Sequence, residues 1–112
     1  MHINRKDILS KLRKKNQGNA RLVQTIDQLI SDFEGRSATF DQVLKIRKDA
    51  DKVHNAGFYF FNILTYRTLV FIDQIDDSAD IIWAGSHEEY VSIFKNNKNR
   101  IEKWLRSNNW IP

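Results

Sequence analysis

Between residues 57 and 72 the chain reads G-F-Y-F-F-N-I, then L-T, then Y-R-T-L-V-F-I. No other stretch restricts the fold as strongly. Aromatic and β-branched residues favour extended backbone, where their side chains pack on a pleated surface. Only Leu64 and Thr65 separate the two runs. So short a connection predicts adjacent antiparallel strands, although neither residue is a favoured turn former. A third run, D-I-I-W-A-G over 80–85, follows the polar turn region D-Q-I-D-D-S-A. All three runs are apolar on both faces, so the sheet they form is covered on more than one side.

The covering elements come mostly before the sheet. H-I-N at 2–4 is a candidate first strand, and N-R-K-D-I-L-S-K-L-R-K-K-N at 4–16 reads as a helix with Asn4 as its N-cap. In the segment 19–35, Leu22, Val23, Ile26, Leu29, Ile30 and Phe33 recur at three-four spacing. Asn19 can cap that helix and Gly35 can end it. A third helix is expected within 39–52, where Thr39 and Gln42 have capping-box spacing. Ser86 and Glu89 have the same spacing ahead of a basic C-terminal helical segment, one bent helix or two short ones. The element order is (β)ααα-βββ-α(α), an α+β class with N-terminal helices packed on a small, mainly antiparallel sheet. One domain over residues 1–112 is the default at this length.

The net charge of +4 is unevenly spread. Residues 1–54 sum to +5, residues 55–93 to −5 and residues 94–112 to +4. Basic flanks around an acidic middle suit a nucleic acid or an acidic partner, although any single lysine more often just solvates a helix face. The absence of cysteine excludes a thiolate nucleophile, a disulfide frame and a cysteine-ligated zinc. Histidines 2, 54 and 87 lie far apart in sequence, and no phosphate-cradling glycine loop is present. Neither a metal nor a cofactor is expected. The N-terminal residues lack a signal peptide's apolar core, and no run approaches the ~20 apolar residues of a membrane helix. A cytoplasmic location without a membrane partner is expected.

The candidate site residues sit at strand ends and connections. Arg67 is the one cation in the sheet region. In so apolar a run it needs a partner or solvent. It either pairs with an acid such as Asp80 or Glu89, or presents its planar fork to a phosphate. His87 falls in the first turn of a helix, near free N–H groups, where imidazole can move protons near neutral pH. It can equally be a surface residue at a helix start. Tyr90 shares its helix face and can either pack on the sheet or stack on a base. His54, before the first hairpin strand, is the weakest of the set.

In order and spacing, A-D-K-V at 50–53, F-Y-F-F-N-I at 58–63, Y-R-T-L at 66–69 and S-H-E-E-Y at 86–90 resemble the HigB family of toxins, in the RelE/ParE superfamily of toxin–antitoxin systems. The opening residues 1–16 resemble that family's short strand and basic helix. The resemblance covers about residues 1–93; residues 94–112 form a C-terminal helical extension relative to many members. It implies a RelE-like fold and metal-independent cleavage of mRNA on the translating ribosome, by attack of the RNA 2′-hydroxyl on the adjacent phosphate. Carried over by motif, Arg67 would stabilise the phosphate, His87 would transfer a proton, Tyr90 would position or stack RNA, and His54 would help. Lys48, Lys52, Lys95 and Lys98 would contact RNA. The implied partners are the ribosome, mRNA and a cognate antitoxin, a helix-turn-helix HigA-like protein. Val91 stands where members often carry an Asp after the E-Y pair, which leaves the acid–base assignment open. Two other classes fit the same scaffold: a ParE-like binding poison of a protein such as DNA gyrase, and a non-catalytic RNA-binding domain.

Overall fold

The computed structural model describes residues 1–112. In chain order it contains β1 (His2–Asn4), α1 (Asp7–Lys15), α2 (Ala20–Phe33), α3 (Phe40–Ile46), β2 (Asp51–His54), β3 (Phe58–Ile63), β4 (Tyr66–Asp73), β5 (Ser78–Ser86), α4 (His87–Phe94) and α5 (Lys98–Ser107). The five strands form one sheet in the order β1-β5-β4-β3-β2, antiparallel except for the parallel β1–β5 pair. This is the expected α+β class.

Both faces of the sheet are covered. On one face α1, α2 and α3 pack over Tyr59, Phe61, Ile63, Val70, Ile72, Ala79 and Ile81. On the other, α4 and α5 pack over Phe58, Phe60, Leu69 and Ile82. Parity along β3 and β4 assigns the faces, because successive side chains point to opposite sides. The β4–β5 register shifts once: Leu69 opposes Trp83 but Val70 opposes Ile81, so Ile82 is the extra residue of a bulge. Ile82 and Trp83 consequently both pack on the α4–α5 side.

Several local expectations hold. Leu64 and Thr65 are the β3–β4 connection, and Leu64 adopts φ of 62°. A non-glycine residue in this left-handed region costs roughly 1–3 kcal/mol. Asn19 and Thr39 cap α2 and α3 through their side chains, and Ser86 and Glu89 form a complete capping box. The C-terminal segment is two helices, broken where Lys95 and Asn96 turn left-handed.

Other expectations are corrected. Asn4 does not cap α1; it lies in β1, and its amide donates to Asp80 Oδ1 at 2.7 Å. The third helix ends at Ile46, and residues 51–54 form an edge strand. That strand is short and largely exposed, so no apolar alternation marks it. Gly57 ends the β2–β3 turn at φ of 112°, and a Cβ there would lie 2.6 Å from the Ile72 carbonyl oxygen. Only glycine fits that approach.

Beyond the end of β2, side chains continue the sheet's hydrogen bonding. Asp49 accepts from the Asn62 N–H at 2.8 Å, and Arg47 donates to the Asn62 carbonyl at 3.0 Å. Arg47 also forks onto Asp49 and reaches Asp32, with bonds of 2.8–3.0 Å. Burial pushes the Asp49 carboxyl up, but the bonds from Arg47 and Asn62 outweigh it, so its pKa lies below the usual range. A depressed folded-state value means stability that is present above the unfolded carboxylate value, near 4, and lost as pH falls through the folded one. We expect Asp49→Ala to cost about 1–3 kcal/mol at pH 7. The gap should narrow below about pH 4, as urea unfolding of both proteins would show. Leu105 is fully buried in the α4–α5 core. Leu105→Ala should cost about 2–5 kcal/mol by the same measurement if α5 is integral to the fold.

Candidate anion site at the start of helix α4

The site grows from the centre of the sheet. Arg67 lies on β4, opposite Asn62 on β3 and Gly85 on β5. Parity puts its side chain on the α4–α5 face. Its guanidinium carbon lies 4.9 Å from the Phe60 ring centroid and 4.4 Å from that of Tyr90. The two rings meet edge to face at 5.0 Å. Contact with ring faces offsets part of the cost of drawing a cation out of water. Gly85 leaves the β5 side of Arg67 without a side chain, and the Trp83 indole leans across it, 2.6 Å from where a Cβ would stand.

Polar partners around Arg67 are few. Its side chain is only 17% exposed, and its one ion pair is to Asp51, at 3.7 Å. Its buried Nε–H has no partner. The expected pairing with Asp80 or Glu89 is corrected: Asp80 accepts from Asn4, and Glu89 belongs to the capping box. Arg47 shows what this fold provides for an arginine with a purely structural task, namely two carboxylates and a carbonyl within 3.0 Å. Arg67 lacks that set.

Helix α4 brings the histidine to the arginine. The His87 N–H donates to the Thr65 carbonyl at 3.2 Å, which ties the helix start to the β3–β4 turn. Ser86 Oγ accepts from the Glu89 N–H, and Glu89 Oε1 accepts from the Ser86 N–H, at 3.1 and 3.0 Å. Those bonds hold the Glu89 carboxyl below its ordinary pKa. His87 is exposed, and its ring lies 6.1 Å from that of Tyr90, nearly parallel to it. His87 and Arg67 line one depression of about 470 Å³ with Asn62, Leu64, Thr65 and Tyr66. The strained Leu64 is at its rim.

Of the two roles open to Tyr90, the structure shows the packing one. It is 2% exposed, and its hydroxyl donates to Asn96 Oδ1 at 3.0 Å. Its ring is occupied by Arg67 and Phe60, so it positions the guanidinium and offers no face to a base. His54 is not brought to the site. Paired with Phe58, it lies one strand out from β3, packs edge to face on Phe58, and accepts the Ala56 N–H at Nδ1. It lines a separate depression of about 380 Å³ with Lys52, Lys98 and Glu102. Lys52 holds its ammonium 4.0 Å above the Phe40 ring. Lys48 is exposed in the α3–β2 connection, and Lys95 is exposed at the end of α4. Lys52 and Lys98 thus share one depression, separate from the one that Arg67 and His87 line.

Sequence reasoning gave no site role to Asp51, Asn62 or Phe60. The two-residue hairpin was the usable signal, since it sets Asn62 opposite Arg67 and puts Phe60 on the same face. The arrangement can bind an anion: a half-buried, under-partnered guanidinium opens to a depression, with an exposed imidazole on its wall. No group of three or more His, Asp or Glu side chains is placed to hold a metal ion. No protein-family model matches the chain, and no curated protein matches its sequence.

Ser86→Ala should remove one half of the capping box and cost about 0.5–2 kcal/mol. Amide hydrogen exchange should quicken at Glu89, whose N–H donates to Ser86 Oγ, more than in α2 if the cap holds the His87 turn in place.

Proposed function

We propose that this protein is a HigB-type toxin: a ribosome-dependent, metal-independent endoribonuclease that inhibits translation. One observation carries the reading. Arg67, the cation singled out by the resemblance, is held half-buried without a full set of partners, at a depression it shares with His87. A structural arginine has no need of that arrangement, whereas a phosphate-binding one does.

The chemistry follows from the parts. An RNA phosphate seated in the depression receives hydrogen bonds from the Arg67 guanidinium, whose planar fork suits a phosphate. These bonds strengthen as negative charge gathers on the phosphorane oxygens, so they favour the transition state over the ground state. His87, at the rim, is within the same depression and is solvent-exposed, as a residue that exchanges protons must be. Tyr90 and Phe60 fix the guanidinium, so no reorganisation is needed when the substrate arrives. Asn62 and Thr65 complete the polar wall.

The basic surfaces fit a ribosomal target. Lys11, Lys14 and Lys15 line a groove of about 1040 Å³ that meets the anion site at Tyr66. Such lysines supply phosphate contacts whose strength falls with salt. Lys98 and Lys52 add positive charge on the β2 side. The proposed partners are the translating ribosome with its mRNA, and a helix-turn-helix antitoxin of the HigA kind, in the cytoplasm. No helix is long and apolar enough to cross a membrane.

Primer extension on an mRNA incubated with translating ribosomes tests the reading. The wild type should cut only when ribosomes are present. Arg67→Ala and His87→Ala should each slow cutting by roughly 10²–10⁴-fold while near-UV circular dichroism stays native. An intact message in the presence of the wild type would refute the nuclease assignment and direct the next assay to DNA gyrase.

A further inference from the structure

The geometry points to Asp51 as the group that accepts the proton from the attacking hydroxyl, an inference that rests on the nuclease reading above. Cleavage by a 2′-hydroxyl needs a base on one side of the phosphorus and an acid on the other, because the attacking and leaving oxygens lie in line. Arg67 is on β4. Asp51 reaches it from β2, across β3, whereas His87 reaches the same region from the end of β5. The two titratable groups therefore flank the guanidinium from opposite sides in the sheet order.

The state of the Asp51 carboxylate supports the role. At 3.7 Å its contact with Arg67 Nη2 is too long for a hydrogen bond. Its other neighbours leave it free. Arg47 and Asp49, on the preceding connection, are committed to each other. Lys52 sits over Phe40. Lys98 and Glu102 of α5 face β2 beside His54, in the adjacent depression. Asp51 thus keeps its lone pairs for a proton, is half-exposed to a substrate, and stands beside the cation that would bind the phosphate. The other acids near the site are unsuitable. Glu89 is bonded to the Ser86 N–H, and Asp80 accepts from Asn4. Glu88 is on α4, on the same side as His87.

In the step assigned, the 2′-hydroxyl gives its proton to the Asp51 carboxylate as the 2′-oxygen bonds to phosphorus. The bond from phosphorus to the 5′-oxygen breaks, and its electron pair leaves with that oxygen. His87, entering as the imidazolium, supplies the proton the oxygen needs. The products are a 2′,3′-cyclic phosphate and a 5′-hydroxyl, with no change of oxidation state.

Single-turnover cleavage on programmed ribosomes, followed from pH 5 to 9, separates this role from that of a counter-ion. Asp51→Asn keeps the shape of the side chain and should fold as the wild type does. We expect its rate at saturating protein to fall by roughly 10²–10⁴-fold, with the concentration needed for half-saturation little changed. The loss should persist at every pH in that range. Asp51→Glu, one methylene longer, should recover part of the rate. An Asp51→Asn rate within about threefold of wild type, or a change confined to half-saturation, would overturn the assignment and leave Asp51 a counter-ion of Arg67. An inert wild type refutes the nuclease reading itself, and this inference falls with it. An active wild type with an active Asp51→Asn sinks this inference alone.

Discussion

A sheet that is apolar on both faces has to be buried twice, and the architecture follows from that requirement. The chain meets it by dividing its helices, with α1, α2 and α3 on one side and α4 and α5 on the other. The hairpin β3–β4 and the following β5 occupy the middle of the sheet, where apolar contact is greatest. A charged side chain on such a strand is costly unless something nearby receives it. At Arg67 the receivers are the rings of Phe60 and Tyr90 and a single long contact to Asp51. The candidate site is therefore a place where the double burial is left incomplete, at the ends of β3, β4 and β5 that α4 does not fully roof.

The two internal arginines show how partner number separates structural from available charge. Arg47 saturates its donors and substitutes for a missing length of strand beside Asn62. Burial alone would lower its pKa; the bonds and charges of Asp49 and Asp32 more than restore it. Its charge is locked, and its effect is local order at a sheet edge. Arg67 has a comparable depth and far fewer partners, so its charge remains available to an incoming anion. The capping box then places His87 at the rim by ordinary helix-start chemistry, which shows how one short segment can begin a helix and furnish a reactive group.

Much of this was legible in the sequence because it depends on local chemistry. Asn19, Thr39 and the Ser86–Glu89 pair cap helices through atoms a few residues away. The hairpin follows from a two-residue gap. What could not be read depends on distant pairing. Asn4 has the composition of a cap, but strand β1 claims it and Asp80 binds its amide. Residues 51–54 lack alternation because an edge strand with one neighbour packs few side chains. Tyr90 and His54 have the right chemistry for a nucleic-acid site. The fold buries the ring of the first under Arg67 and puts the second beyond Phe58, neither of which spacing along the chain discloses.

The bulge at Ile82 sets which positions along β5 face which side. Downstream of it the pairing brings Gly85 opposite Arg67 and carries Ser86 to the start of α4. Removing Ile82, the one residue of this stretch without a β4 partner, would restore strict alternation and still leave Gly85 opposite Arg67 and Ser86 at the start of α4. Across evolutionary time, a change in length is thus tolerated at two places along this hairpin: the bulge, where an unpaired residue can go without moving its neighbours' partners, and the exposed turn around Ile75. Elsewhere in β5 divergence proceeds by substitution.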